Sequence, residues 1–394
     1  MIGSLRLALV CALILGVAAP SIAGEHSLSY GEALAKAKES GKVVVIDFFA
    51  DWCGPCKAFD RDLASAESGI ATSLDAVVFT SIDAEKGEGI ELAKKYGVTG
   101  YPTYTMMTAE GELIESWVGY GGPQWFIEAF ETAHADPTTY DEKKARFAKN
   151  PTAEDAKNIG RIASASGQHT EAMQYLEKAE SLDASVDITS EYLDAAFSRA
   201  RMDATYSWDD YIAVARERVL EADADAGTTL YTTYYVGRAT KGEEDHATLK
   251  PFLAKSREKL ASGDEELSPG LVQAIELQAI MVLDEDMDAA VAYKRSHMAE
   301  GWMEDADQLN SFAWWCFENN VNLEEAQKMA LSAVELADAG KQRAMVLDTA
   351  AEICNALGNC DEAVALIMRA LEEEPASEYY AEQLTRFEEA AAEE

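Results

Sequence analysis

Two hydrophobic rhythms run along this chain, and they change near residue 135. From about residue 27 to 134, short apolar runs alternate with stretches whose apolar positions return every three or four residues. Over 27–40, Leu28, Ala33, Leu34 and Ala37 share one side of a helix that Gly41 would stop. Val43-Val44-Val45-Ile46-Asp47-Phe48-Phe49 is a nearly continuous apolar run, the mark of a strand buried on both faces. The spacing next predicts a helix over 55–70, a strand over 77–82 and a helix over 90–96. Strands over 103–107 and 113–118 flank Ala109-Glu110-Gly111, a hairpin turn signal. A helix over 123–133, carrying Trp125, Phe126, Ile127 and Phe130, closes the region. Such β/α alternation ending in a hairpin implies an α/β domain over 24–135, with a mixed central sheet flanked by helices.

Asp136-Pro137-Thr138-Thr139 reads as a linker, and from 140 to 394 the pattern is helical, rich in Ala, Leu and Glu. Small residues recur there at fixed offsets. Gly167, Ala172, Leu176 and Ala179 fall at 0, +5, +9 and +12, and Gly358, Ala363, Ile367 and Ala370 repeat the series, with Pro375 at +17. Val321, Ala326, Ala330 and Ala333 form a third copy 37 residues before the last. Small side chains at these intervals let two antiparallel helices approach closely, and glycine suits the turn between them. The pattern resembles the tetratricopeptide repeat (TPR), which implies an all-α TPR-like solenoid over 140–394. Across 190–300 the match is weak; 281–297, around Asp286-Met287-Asp288-Ala289-Ala290, reads as a degenerate unit.

The chain has 394 residues and a formal net charge of −38. That charge argues against nucleic-acid binding and against anionic lipid, since no basic face is available for phosphates. An export signal is expected at 1–23: Arg6, an apolar run over 7–17, then Ala18, Pro20, Ser21 and Ala23 as a small-residue exit, with cleavage after Ala23. An uncleaved anchor is the competing reading. After cleavage no membrane segment is expected, and the chain would work in the periplasm of a Gram-negative bacterium or be secreted. Cys11 would leave with the signal, so Cys53, Cys56, Cys316, Cys354 and Cys360 would meet an oxidising compartment as an odd set.

Asp51-Trp52-Cys53-Gly54-Pro55-Cys56-Lys57 falls between a buried strand and a helix. A cysteine heading a helix meets unpaired N–H groups and the positive end of the dipole, which favour thiolate over thiol. Cys56 follows by one helical turn and so returns beside Cys53, while Pro55 suits the first turn. The expectation is an accessible, acidified Cys53 and a shielded Cys56, arranged for exchange. A static disulfide and half of a zinc site are the alternatives. Zinc would need a second close pair, whereas Cys354 and Cys360 stand six apart with Cys316 far off.

Residues 27–134 resemble the thioredoxin family through three features: Trp52-Cys53-Gly54-Pro55-Cys56, the preceding strand with Asp47, and Gly97-Val98-Thr99-Gly100-Tyr101-Pro102-Thr103. The resemblance implies the thioredoxin fold, with Cys53 as nucleophile and Cys56 as resolving thiol. It makes Pro102 a cis-proline facing the disulfide, which shapes the surface where substrate backbone docks beside Trp52, Gly54, Pro55 and Tyr101. Asp47 matches the family's buried carboxylate behind Cys56. Burial would raise its pKa and let it take or return the Cys56 proton directly or through water; a strand-end polar residue with no role is the other reading. The sequence departs from thioredoxin proper on the next strand: its lysine, four residues before a strand-end Asp83, is here Phe79. Tyr101 is closer to the disulfide-isomerase branch, and Ala50-Asp51-Trp52-Cys53 is similar to exported thioredoxin-like reductase domains of bacteria. No bound cofactor is implied, because the Cys53–Cys56 pair itself carries the redox equivalents.

Other signals are blander. Cys354 and Cys360 bracket the turn of the last repeat and could form a second disulfide, or remain two core thiols. Trp314-Trp315-Cys316-Phe317 and Tyr231, Tyr234 and Tyr235 read as packing between repeats rather than as ligand sites. His169, in a turn beside Gly167, is expected to be solvated, and the histidines form no metal-ligand pair. The combined reading is an exported thiol–disulfide oxidoreductase that reduces protein disulfides. Its electrons would come from a thiol protein, and its repeats would recruit substrate or partner. The rivals are a TPR-type interaction scaffold, in which the first domain is a docking module or redox sensor, and a chaperone-like holdase.

Overall fold

A computed structural model describes residues 28–240, 246–263 and 267–393. The expected export signal and Cys11 lie outside the described residues. The chain divides after Val214 into two compact units.

The first unit opens with helix α1 (Tyr30–Ser40), whose Ser29 and Glu32 form a capping box, followed by strand β1 (Val44–Phe49). Helices α2 (Gly54–Leu63) and α3 (Ile70–Leu74), strand β2 (Val78–Asp83) and helix α4 (Glu88–Tyr96) come next. Strands β3 (Thr103–Met107) and β4 (Leu113–Val118) and helix α5 (Pro123–Ala135) complete the mixed layer. The sheet runs in the order β2-β1-β3-β4, with β1 parallel to β2 and the other pairs antiparallel. Both faces are covered, which is why the β1 run does not alternate. Val45, Phe59, Tyr104, Trp117 and Phe126 pack on one side; Val44, Ile46, Phe48, Leu92 and Tyr96 pack on the other.

The helix expected over 55–70 is broken. It stops at Leu63 and resumes at Ile70, because Gly69 takes a positive φ of 78° and Ser68 Oγ accepts the Ile70 N–H at 3.2 Å. Local hydroxyl and glycine chemistry outcompetes the helical ladder there.

Beyond the sheet, helices α6 (Tyr140–Lys149), α7 (Ala153–Ala165), α8 (His169–Leu182), α9 (Thr189–Met202) and α10 (Trp208–Ala215) follow, and no strand occurs after β4 among the described residues. The second unit holds a π-helical turn (Arg216–Glu221) and helices α11 (Ala226–Ala239), α12 (His246–Ser262), α13 (Pro269–Val282) and α14 (Met287–Ser296). It ends with α15 (Ala306–Glu318), α16 (Leu323–Leu336), α17 (Lys341–Ala356), α18 (Cys360–Glu373) and α19 (Glu378–Glu393). The repeat signatures land on helix hairpins. In α7–α8 and α17–α18, Gly167 and Gly358 make the turns with φ of 70° and 78°, and the small residues that follow are buried. Where the third copy carries Val321, Asn320 and Asn322 supply the left-handed backbone instead. The 281–297 unit holds only the end of α13, the turn and α14, with Asp286 capping α14.

In the first unit, α6 and α7 cover the outer strand β4, and the residues around 136–139 are tightly tied. Lys143 is 2% exposed, and its Nζ donates to the carbonyls of Ile114 at 3.0 Å, Asp136 at 3.0 Å and Thr138 at 2.7 Å. Glu115, buried on β4, is pushed up to about 7 by burial, against the pull of Arg161 and Lys143. Lys143→Met would strand one buried carbonyl and two half-buried ones, so we expect it to cost about 3 kcal/mol in urea unfolding. A loss under about 0.5 kcal/mol would mean that water replaces the ammonium at no net cost.

Candidate active site

Cys53 follows β1 and is the N-cap of α2, with extended backbone at φ −72° and ψ 113°. Its Sγ accepts the Cys56 N–H at 3.1 Å, so the sulfur satisfies one of the donors that a helix start leaves open. Pro55, in the first turn, forfeits no helical bond. Cys53 and Cys56 are joined as a disulfide, their Cα atoms 5.3 Å apart. Both are covered, Cys53 being 3% exposed and Cys56 2%. That corrects the expectation of an accessible Cys53: Tyr101 and Phe49 pack over the pair together with Ala50. Tyr101 precedes Pro102 through a cis peptide bond, so the expected cis-proline loop closes one side of the disulfide. Trp52, 67% exposed, meets Tyr101 edge-on at 5.8 Å, and its Nε1 donates to Glu85 Oε2 at 2.9 Å. Gly54, by contrast, has nothing within 4 Å of where a side chain would start, so it leaves the helix head open.

Asp47 lies on β1, only 1% exposed. Burial pushes its carboxyl up to about 8, Asp60's negative charge pushes the same way, and a hydrogen bond from Ser81 Oγ at 3.2 Å opposes both. Its second oxygen, Oδ1, has no hydrogen-bond partner. Phe79 occupies β2 opposite Val45 and packs its ring on Phe59 at 6.1 Å, so apolar packing fills the place where the family keeps a cation. The nearby charged pair lies outside: Lys86 pairs with Asp51, and with Asp83 at 2.8 Å.

Sequence reasoning missed Ser81, Asp60 and Glu85. Ser81 is the register partner of Asp47 across the parallel β1–β2 ladder, and that register could have been inferred by aligning 43–49 with 77–82. Glu85 and Asp60 carry no local signal.

Elsewhere, Cys354 and Cys360 follow the second of their two readings, as core thiols, and other expectations are corrected. Cys354 and Cys360 are not joined: Cys354 Sγ accepts from Gln327 Nε2 at 3.2 Å, while Cys360 Sγ approaches Asn355 Oδ1. Cys354 faces α16, while Cys360, at the head of α18, reaches back across the turn to Asn355 on α17. His169 is buried rather than solvated, with neither ring nitrogen hydrogen-bonded, and burial together with Arg201's charge holds its pKa below the usual histidine range. Tyr231 is exposed, because it stands on the outer side of α11, while Tyr234 and Tyr235 are half-buried against each other. Cys316 is buried and Trp315 and Phe317 pack against the core, as expected of repeat packing.

The thioredoxin family model matches residues 25–126. A thioredoxin H-type from Oryza sativa subsp. indica is 39% identical over 98 residues, which are 25% of this chain and 75% of that protein. The thiol:disulfide interchange protein DsbD of Vibrio cholerae is 40% identical over 84 residues, 21% of this chain but only 14% of DsbD. Among solved structures, a tetratricopeptide repeat protein from Parabacteroides merdae aligns over 67% of this chain and 94% of its own, with a TM-score of 0.38 and 12% identity. A disulfide whose first cysteine caps a helix, a cis-proline after the residue packed on it, and a sequence match over three quarters of a rice thioredoxin place the N-terminal region: the chain belongs to the thioredoxin family of thiol–disulfide oxidoreductases.

Proposed function

We propose that this chain reduces disulfides in protein substrates after export, in the periplasm, and that its helical repeats recruit the substrate or a protein partner. The observation that carries the reading is the sulfur of Cys53, which caps its own helix and accepts the Cys56 N–H. In the dithiol form that donor and the helix dipole favour the Cys53 thiolate. The thiolate attacks one sulfur of a substrate disulfide; a mixed disulfide forms, and the other substrate sulfur leaves as thiolate and takes up a proton. Cys56 then loses its proton, and the buried Asp47 carboxylate takes it directly or through water. Its sulfur attacks Cys53 Sγ and releases the second substrate thiol. The enzyme is left as the Cys53–Cys56 disulfide, two electrons poorer, and a thiol protein donor reduces it again. Pro102 and Tyr101 form the docking surface beside the pair.

The test is insulin reduction by the full chain with dithiothreitol as donor, paired with trapping by Cys56→Ser. We expect precipitation of insulin B chain well above the dithiothreitol background, and a stable mixed disulfide on Cys53 in the trap. A wild-type chain that adds nothing to the background would overturn the reductase reading.

A further inference from the structure

The segment that leads into the cis-proline is held from behind by the helical repeats of the same unit. A side-chain carbon on Gly97 would lie 2.0 Å from the carbonyl oxygen of Ser166, and one on Gly167 would lie 3.1 Å from the Gly97 oxygen and 3.2 Å from Thr99 Cγ2. Two backbones therefore touch with no side chain between them, and both glycines take positive φ, 67° and 70°. From the end of α9, Arg201 Nη2 donates to the Thr99 carbonyl at 3.3 Å, across 102 residues of sequence. His169 is buried in the adjoining α7–α8 turn without a hydrogen-bond partner, as in a contact closed to water. Three contacts from α7–α9 thus converge on 97–99. Two residues further on, Tyr101 packs on the disulfide, and the Tyr101–Pro102 bond after it is cis.

We propose that Arg201 is a positioning residue for protein substrates. With the α7–α8 turn it fixes the 97–101 segment, and so sets the surface at Tyr101–Pro102 against which a substrate's backbone lies. The proposal rests on the reductase reading and deepens it by assigning a specificity role to the first repeat helices. A small disulfide needs only the Cys53 sulfur. A protein disulfide must also lay its flanking backbone along that surface, so loss of the loop's backing penalises proteins selectively.

Arg201 is exposed, and Arg201→Met keeps most of its stem while removing the donor. The experiment compares wild type, Arg201→Met and Arg201→Lys on insulin and on bis(2-hydroxyethyl) disulfide, with thermal unfolding as the control for folding. We expect Arg201→Met to lower kcat/KM for insulin about fivefold, mainly through KM, with the small disulfide and the melting temperature unchanged. Arg201→Lys should restore part of the loss. Equal loss on both disulfides, or no loss on either, would overturn the positioning role while leaving the reductase standing. A wild type inert toward both would overturn the reductase reading and this inference together.

Discussion

Cys53→Ser should bring insulin reduction down to the dithiol background, a fall of at least a thousandfold in kcat/KM, without unfolding the protein. The side chain is nearly isosteric and the serine oxygen can still accept the Cys56 N–H, so the cap survives. What disappears is the nucleophile, since a hydroxyl is not ionised at neutral pH. Cys56→Ser separates the two roles. The first attack remains and the release fails, so single-turnover labelling of Cys53 should persist while multiple-turnover reduction collapses. Mass spectrometry of the trapped adduct assigns the linkage. If the adduct forms on Cys56 in the reciprocal variant as readily as on Cys53, the assignment of nucleophile and resolver is wrong.

The second large effect concerns Asp47. Its folded pKa of about 8 stands well above an unfolded aspartate near 3.8, so the folded state keeps a proton that the unfolded state releases. Stability is therefore full below about pH 4 and declines as pH rises toward about 8. The decline is at most about 1.4 kcal/mol per pH unit, reaching the order of 5 kcal/mol. Asp47→Asn is neutral throughout and can keep the Ser81 bond through its amide oxygen. We expect the variant and wild type to unfold at similar urea concentrations near pH 4, with the variant several kcal/mol more stable at pH 9. The same change removes the base for Cys56, so insulin turnover at pH 7 should fall roughly a hundredfold. Parallel stability curves for the two proteins across this pH range would show that the carboxyl titrates as if in water.

Much of the first unit was legible because its signals are local. The unbroken run at 43–49 announced a strand covered on both sides, and the two-cysteine loop between strand and helix announced its chemistry. The helix break at 64–69 was hidden, since one glycine and one serine hydroxyl decide it. Repeats with glycine turns and alanine stripes were readable. The stretch from 190 to 300 was not, because its helices pack through hydroxyls. Ser256 Oγ donates to Thr233 Oγ1 at 2.9 Å in a buried contact, and a π-helical turn shifts the register at 216–221. Residues that act by proximity, such as Glu85 on Trp52 or Arg201 on Thr99, carry no mark in the sequence.

The carbonyls gathered around Lys143 bear on how this molecule could be dissected. Cut free near residue 135, after α5 and just beyond the family match, the thioredoxin portion would lose the helices that shield β4. A bare strand flank recruits other strands, so the excised piece would tend to self-associate rather than behave as an ordinary stand-alone thioredoxin. In this protein the first repeat helices belong to the redox module's own architecture.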